Sequence, residues 1–137
     1  MRTMTIIIVS IIVSLIVVLA IDSVWLHLWA KRFYGDKIGH LMAVNPNFAA
    51  AGIFYVIFAL GITMFVVTPA YDNYFSNLQT FLFGALFGFV AYAMYNLTNH
   101  TKFKEWPVLL TIVDSAWGAF LGGTVSLLTL LALGYFV

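Results

Sequence analysis

The sequence predicts an all-α integral membrane protein, a four-transmembrane-helix bundle of up-down-up-down topology in a single domain covering residues 1–137. Three observations predict it. The chain is 64% hydrophobic and 8% charged, against roughly 25% charged residues in soluble domains, so much of its apolar side chain must face lipid. It holds four apolar runs of about 20 residues or more, the length that crosses a bilayer as a helix. Short polar stretches join the runs, which makes sequential helices antiparallel neighbours.

The first span is expected from about Met4 to Trp29. Met1-Arg2-Thr3 ahead of it looks like the start of a signal peptide. The apolar run is about twice the usual ~7–15 residues and continues into Val24-Trp25-Leu26 without a small-residue cleavage site, so a retained helix is expected. The stretch from Ala30 to Asn47 is polar, with Lys31, Arg32, Asp36, Lys37, His40 and Pro46. The second span covers about Phe48 to Thr68 and is expected to break at Pro69-Ala70-Tyr71-Asp72-Asn73, where proline and Asn/Asp favour a turn. The third runs from about Leu78 to Leu97, followed by a loop from Thr98 to Trp106 that carries Lys102, Lys104 and Glu105. The fourth starts near Pro107, a residue suited to the first helical position, and reaches Val137.

Several function classes fall away. A net charge of +1 provides no basic surface, so membrane lipids are expected partners and nucleic acid is not. Without cysteine there is no disulfide, thiolate metal site or iron–sulfur cluster. No HExxH, GxSxG or phosphate loop is present. No cofactor is expected: a haem between His27 and His100 would have no recognisable attachment motif. Lys31, Arg32, Lys37, Lys102 and Lys104 all fall in the first and third loops, against Arg2 alone on the other side. Cytoplasmic loops carry the Lys/Arg excess, so both termini are expected outside. Trp25, Trp29, Tyr34 and Trp106 would then mark the cytoplasmic interface, and Tyr71, Tyr74 and Tyr135 the outer one.

Small residues recur four apart at Gly84 and Gly88, and at Gly118 and Gly122. Such spacing lets helix backbones approach closely in lipid. It serves either packing inside one bundle or a homodimer seam through Gly84/Gly88 or Gly118/Gly122.

The informative residues are the polar ones inside the spans. At 1.5 Å per residue, Met4 to Asp22 is roughly 27 Å, Leu78 to Asn96 roughly 27 Å, and Asp114 to Tyr135 roughly 32 Å. Three helices therefore bring a carboxylate or amide to one level near the cytoplasmic edge. Gly84, Gly88, Tyr92 and Asn96 share one face of the third span, Asp114, Gly118, Gly122 and Ser126 one face of the fourth, and Asp22, Trp25 and Trp29 one face of the first. Charged groups in a membrane usually face the bundle interior. The candidate ligand-binding residues are Asp22, Trp25, Tyr55, Tyr92, Tyr95, Asn96, Asn99, Asp114 and Trp117. The same cluster also reads as a hydrogen-bond clamp, with Asn96 and Asn99 donating to the carboxylates.

Phe54-Tyr55, Tyr95-Asn96-Leu97-Thr98-Asn99, Trp106-Pro107 and Asp114-Ser115-Ala116-Trp117-Gly118, together with Asp22 and Trp25, resemble the hallmarks of a family of small four-helix bacterial membrane proteins, the domain of unknown function 2177. The resemblance covers nearly the whole chain. It implies a bacterial inner membrane and supplies no reaction. The chain departs from the family pattern at Asn96, where an aspartate is more usual; that leaves one titratable group fewer, which weakens a proton relay and keeps a hydrogen-bonding role intact. Three functions compete: binding or transport of a small ligand or proton at the polar cluster, a membrane enzyme acting on a lipid or isoprenoid with Asp22 or Asp114 as general acid or base, and a structural or assembly protein whose cluster fixes helix register.

Overall fold

The computed structural model describes residues 2–39 and 47–137, with backbone alone for residues 2 and 29–31. The expectations placed on His40 and Pro46, and on the side chains of Arg2, Trp29 and Lys31, lie outside the described residues. The described chain is all-helical: α1 (Arg2–Trp25), a π-helical turn (Leu26–Ala30), α2 (Lys31–Ile38), α3 (Phe48–Ile62), a second π-helical turn (Thr63–Val67), α4 (Thr68–Asp72), α5 (Asn77–Lys102) and α6 (Val108–Phe136). Four stretches are long and apolar enough to cross a membrane: Thr3–Leu28, Phe48–Asp72, Asn77–Lys102 and Val108–Phe136. The expected four-helix membrane architecture is therefore present.

The buried faces explain why these apolar helices assemble in one way. On α1, Ile6, Ser10, Ser14, Val18 and Asp22 are buried at every fourth position, while Ile8, Ile12 and Ile16 point outward. The inward stripe is more polar than the outward one, the inverse of a soluble helix. Lipid is as apolar as leucine, so small and polar residues that permit close contact go inside. The same rule builds the α5–α6 seam, the most extensive in the molecule. A Cβ on Gly88 would stand 2.9 Å from the Gly118 carbonyl carbon and 3.1 Å from Gly122 Cα, and one on Gly122 would stand 2.9 Å from Gly88 Cα. Gly84, Gly88, Gly118 and Gly122 are all buried in this seam inside one chain. Helix α6 also packs on α1, and α1 on α3. Val18, Phe58, Ile62, Val67, Leu121, Val125 and Leu133 fill the space between them.

The element boundaries depart from expectation in four places. Lys31–Ile38, expected in a polar loop, forms the short helix α2. The second span continues through Pro69 to Asp72. A proline inside a helix removes one backbone bond and its ring meets the carbonyl four residues back. Here the wider π-turn immediately precedes it, with the Thr68 N–H bonded to the Thr63 carbonyl, so Pro69 occupies the first turn of a new segment, where proline is tolerated. The chain reverses instead at Asn73, whose side chain donates to the Pro69 carbonyl at 2.8 Å, and at Tyr74, with φ of 54°. Ser76 and Gln79 then start α5 with a reciprocal capping box at 3.1 and 2.9 Å. Helix α5 ends at Lys102, beyond the expected Leu97, so Thr98 to Lys102 belong to the span. His100 and Lys102 in its last turn suit the negative end of the helix dipole. Pro107 caps α6 in an extended conformation, with φ −70° and ψ 137°, so the helix starts at Val108, one position after the expected start.

Candidate functional site

Near one end of the bundle the helices line a half-open cavity of about 340 Å³. Its polar lining comes from every long element: Asp22 and Trp25 from α1, Tyr34 from α2, Tyr55 from α3, Tyr92, Tyr95 and Asn96 from α5, and Asp114 and Trp117 from α6. Trp106, just before α6, completes it.

The two carboxylates are held in parallel ways. Asp22 Oδ2 accepts from the Tyr55 hydroxyl, and Oδ1 accepts from the Trp117 indole N–H at 3.1 Å. Asp114 Oδ1 accepts from the Tyr34 hydroxyl, and Oδ2 accepts from Asn96 Nδ2 at 2.7 Å. Each acid therefore has one tyrosine donor and one nitrogen donor, all from other elements. Asn96 is itself oriented: its Nδ2 also donates to the Tyr92 carbonyl at 2.8 Å, and its Oδ1 accepts from the Trp106 indole at 3.3 Å. Asp22, Asn96, Asp114 and Trp106 are all buried.

The π-turn Leu26–Ala30 lies directly after Trp25 and leads into α2, whose Tyr34 reaches Asp114 and accepts from the Trp25 indole at 3.4 Å. Burial, and then the negative charge of Asp114, push the Tyr34 phenol above its ordinary range, so Tyr34 stays protonated and acts as a donor. Trp25 and Trp117 stack face to face, with centroids 4.2 Å apart and planes at 8°, and tie α1 to α6 beside Asp22.

The structure brings eight of the nine sequence-derived candidates to this one cavity: Asp22, Trp25, Tyr55, Tyr92, Tyr95, Asn96, Asp114 and Trp117. Tyr95 stands at the rim, 60% exposed, with its ring edge-on to Trp106. Asn99 is not part of the cavity lining. It is buried three residues beyond Asn96, about 4.5 Å further along the axis. The carboxylate contact expected of both asparagines is made by Asn96. Tyr34 and Trp106 are the members that sequence reasoning missed, since both were assigned to the membrane interface. Trp106 did carry a signal: it directly precedes Pro107, where the chain turns back under the end of α5. For Tyr34 the only signal was the helix-compatible run Lys31–Ile38.

A family model described as "Predicted membrane protein (DUF2177)" matches residues 7–131. The chain belongs to this family. The matched DUF2177 region contains every residue of the cavity, from Asp22 to Trp117. No curated protein and no solved structure matches the chain. For this DUF2177 protein, the chemistry of the site therefore rests on the cavity itself. It offers two carboxylates, an amide, indole and phenol donors and aromatic walls, with no Lys, Arg or His among its described lining residues. Such a site can hold a cation or a polar group, or share a proton between the acids.

Proposed function

We propose that this protein binds a small ligand in the cavity between α1, α3, α5 and α6, with Asp22 and Asp114 as the recognising groups and the aromatic side chains as walls. The observation that carries this reading is the open volume of about 340 Å³ between two acids that other helices hold in fixed orientation. Small-molecule sites have about 300–1,000 Å³, mostly apolar walls and a few convergent polar groups. A solid polar clamp would need no such space. The cavity belongs to the end of the bundle near the first and third loops, which are the cytoplasmic ones by the positive-inside rule. The membrane is then a bacterial inner membrane, with access from the cytoplasmic half.

A second reading has its own support: all four carboxylate oxygens already carry a donor, which is what a device for fixing helix register would require. The two readings separate in native mass spectrometry of protein taken from its own membranes. Ligand binding predicts a defined adduct on the wild-type protein and none on a folded Asp22→Asn/Asp114→Asn variant. Adduct-free spectra for both proteins would leave the clamp as the role of the cluster.

A further inference from the structure

We infer that the ligand is an amphiphilic organic ammonium, its cationic head in the acid chamber and its apolar chain in the lipid-facing groove between α1 and α6. The inference rests on the ligand-binding reading of the chamber and specifies the chemistry.

The head follows from charge and walls. Asp22 and Asp114 both line the chamber, and no cationic side chain among the described lining residues offsets them. The remaining polar lining is tyrosine, tryptophan and one asparagine, so the walls are largely aromatic faces. A carboxylate beside aromatic faces is the environment an organic ammonium prefers over water, by charge and by cation–π attraction. The acids accept their donors from Tyr34, Tyr55, Asn96 and Trp117 and keep lone pairs free, since a carboxylate has about four acceptor sites.

The chain follows from what lies behind the tryptophan stack. Trp25 and Trp117 line the chamber and also form the back wall of two apolar grooves on the outside of the bundle, of about 500 and 650 Å³. Ala20, Ile21, Val24, Leu28 and Phe120 complete one groove, and Ile112, Val113, Ala116 and Phe120 the other. The indole N–H groups bond to chamber residues, Trp117 to Asp22 and Trp25 to Tyr34, so their polar edges serve the chamber while the same rings border the grooves. Lipid chains cover any outward groove in a membrane. This one differs because one stacked pair divides it from a buried acidic chamber. At about 340 Å³ the chamber sits at the lower end of ligand-site volumes, which suits a headgroup; an attached chain reaches the groove by parting the Trp25–Trp117 stack, the wall the two spaces share.

Trp25, Trp106 and Trp117 line the chamber, three of the chain's four tryptophans, so intrinsic fluorescence reports occupancy. The whole protein, in a non-ionic detergent, is titrated with dodecyltrimethylammonium, tetramethylammonium and dodecyl sulfate. The expected result is a saturable change with both ammonium probes, tighter for the long chain, and none with dodecyl sulfate. Asp22→Asn/Asp114→Asn should weaken both ammonium probes by about tenfold or more. Ala116→Phe fills the groove at an exposed position. It should weaken the long chain by about tenfold and leave tetramethylammonium unchanged. This arm holds even where the double variant does not fold. An equal response to dodecyl sulfate, or equal binding of long and short ammonium untouched by Ala116→Phe, overturns the proposal. No response to either ammonium also overturns it. If that failure is accompanied by an aspartate-dependent adduct in native mass spectrometry, the chamber still binds a ligand and only its chemistry was wrong.

Discussion

Replacing Gly88 by alanine adds one methyl group at the tightest point of the α5–α6 seam. The added Cβ would lie 2.9 Å from the Gly118 carbonyl carbon and 3.1 Å from Gly122 Cα, and the Gly118 carbonyl oxygen stands nearer still. Real Cβ atoms do not pack this closely, and every obstacle is backbone, so no rotamer change relieves the contact. The two helices must move apart by a substantial part of an ångström. A gap of about 0.5–1 Å forfeits a quarter to a half of each dispersion contact across it, and overpacking of a filled interface costs typically about 1–3 kcal/mol. With backbone on both sides, the upper end applies, so Gly88→Ala should destabilise the bundle by about 3 kcal/mol. Gly134 supplies the control: it lies on α6 with nothing within 4 Å of its added Cβ. Gly134→Ala changes the same atom and should be neutral or stabilising by up to about 1 kcal/mol, since alanine is the better helix former. Unfolding of both variants in mixed detergent micelles, followed by circular dichroism, measures the difference. Equal stability of the two variants would refute the account of the seam as backbone contact.

Two further outcomes follow from the site and the topology. Asp114→Asn preserves shape and should leave unfolding nearly unchanged, whereas Asp114→Leu strands the Tyr34 hydroxyl and one Asn96 bond and should cost about 1–3 kcal/mol in the same unfolding assay; equal stability of the two variants would mean that Asp114 carries no helix-to-helix contact. Reporter fusions at Val137 and in the loop before Pro107 should give outside and cytoplasmic signals respectively; a cytoplasmic C-terminus would place the acid chamber in the outer half of the membrane.

How far the sequence foretold this molecule depends on which physical signal was local. The four spans were legible because lipid imposes a length and a composition on any helix that crosses it, and the glycine pairs were legible because spacing of four puts them on one face. Counting along each helix placed Asp22, Asn96 and Asp114 at one level, and the structure lines one cavity with all three. The Pro69 boundary was misjudged because the compensating π-turn at Thr63–Val67 leaves no mark in composition. Tyr34 was missed for a related reason. Its contact with Asp114 spans 80 positions and follows the π-turn at Leu26–Ala30, so neither periodicity nor charge could announce it. Asn99 erred in the opposite direction: it belongs to the right helix and has the right chemistry, and it lies about 4.5 Å further along the axis than Asn96, outside the cavity lining.

The cavity exists because the seam beside it is so close. At Gly84, Gly88, Gly118 and Gly122 the backbones of α5 and α6 touch. One and two turns further along the same faces, glycine gives way to Tyr92 and Asn96 on α5 and to Asp114 on α6. Side chains of that size hold the two backbones apart, and the helices, pinned at the glycines, must splay. Gly118 marks the change: a Cβ there would meet both the Gly88 carbonyl oxygen, at 2.7 Å, and the Tyr92 side chain, at 2.5–2.6 Å. Stacked Trp25 and Trp117 wall the splayed end toward α1, and Tyr34 is drawn in from α2 to meet Asp114. The open space is therefore a consequence of one stripe that runs from glycine to tyrosine, asparagine and aspartate. Tight packing at one end of that stripe fixes the helices so that the polar groups at the other end can stay apart without the bundle collapsing onto them.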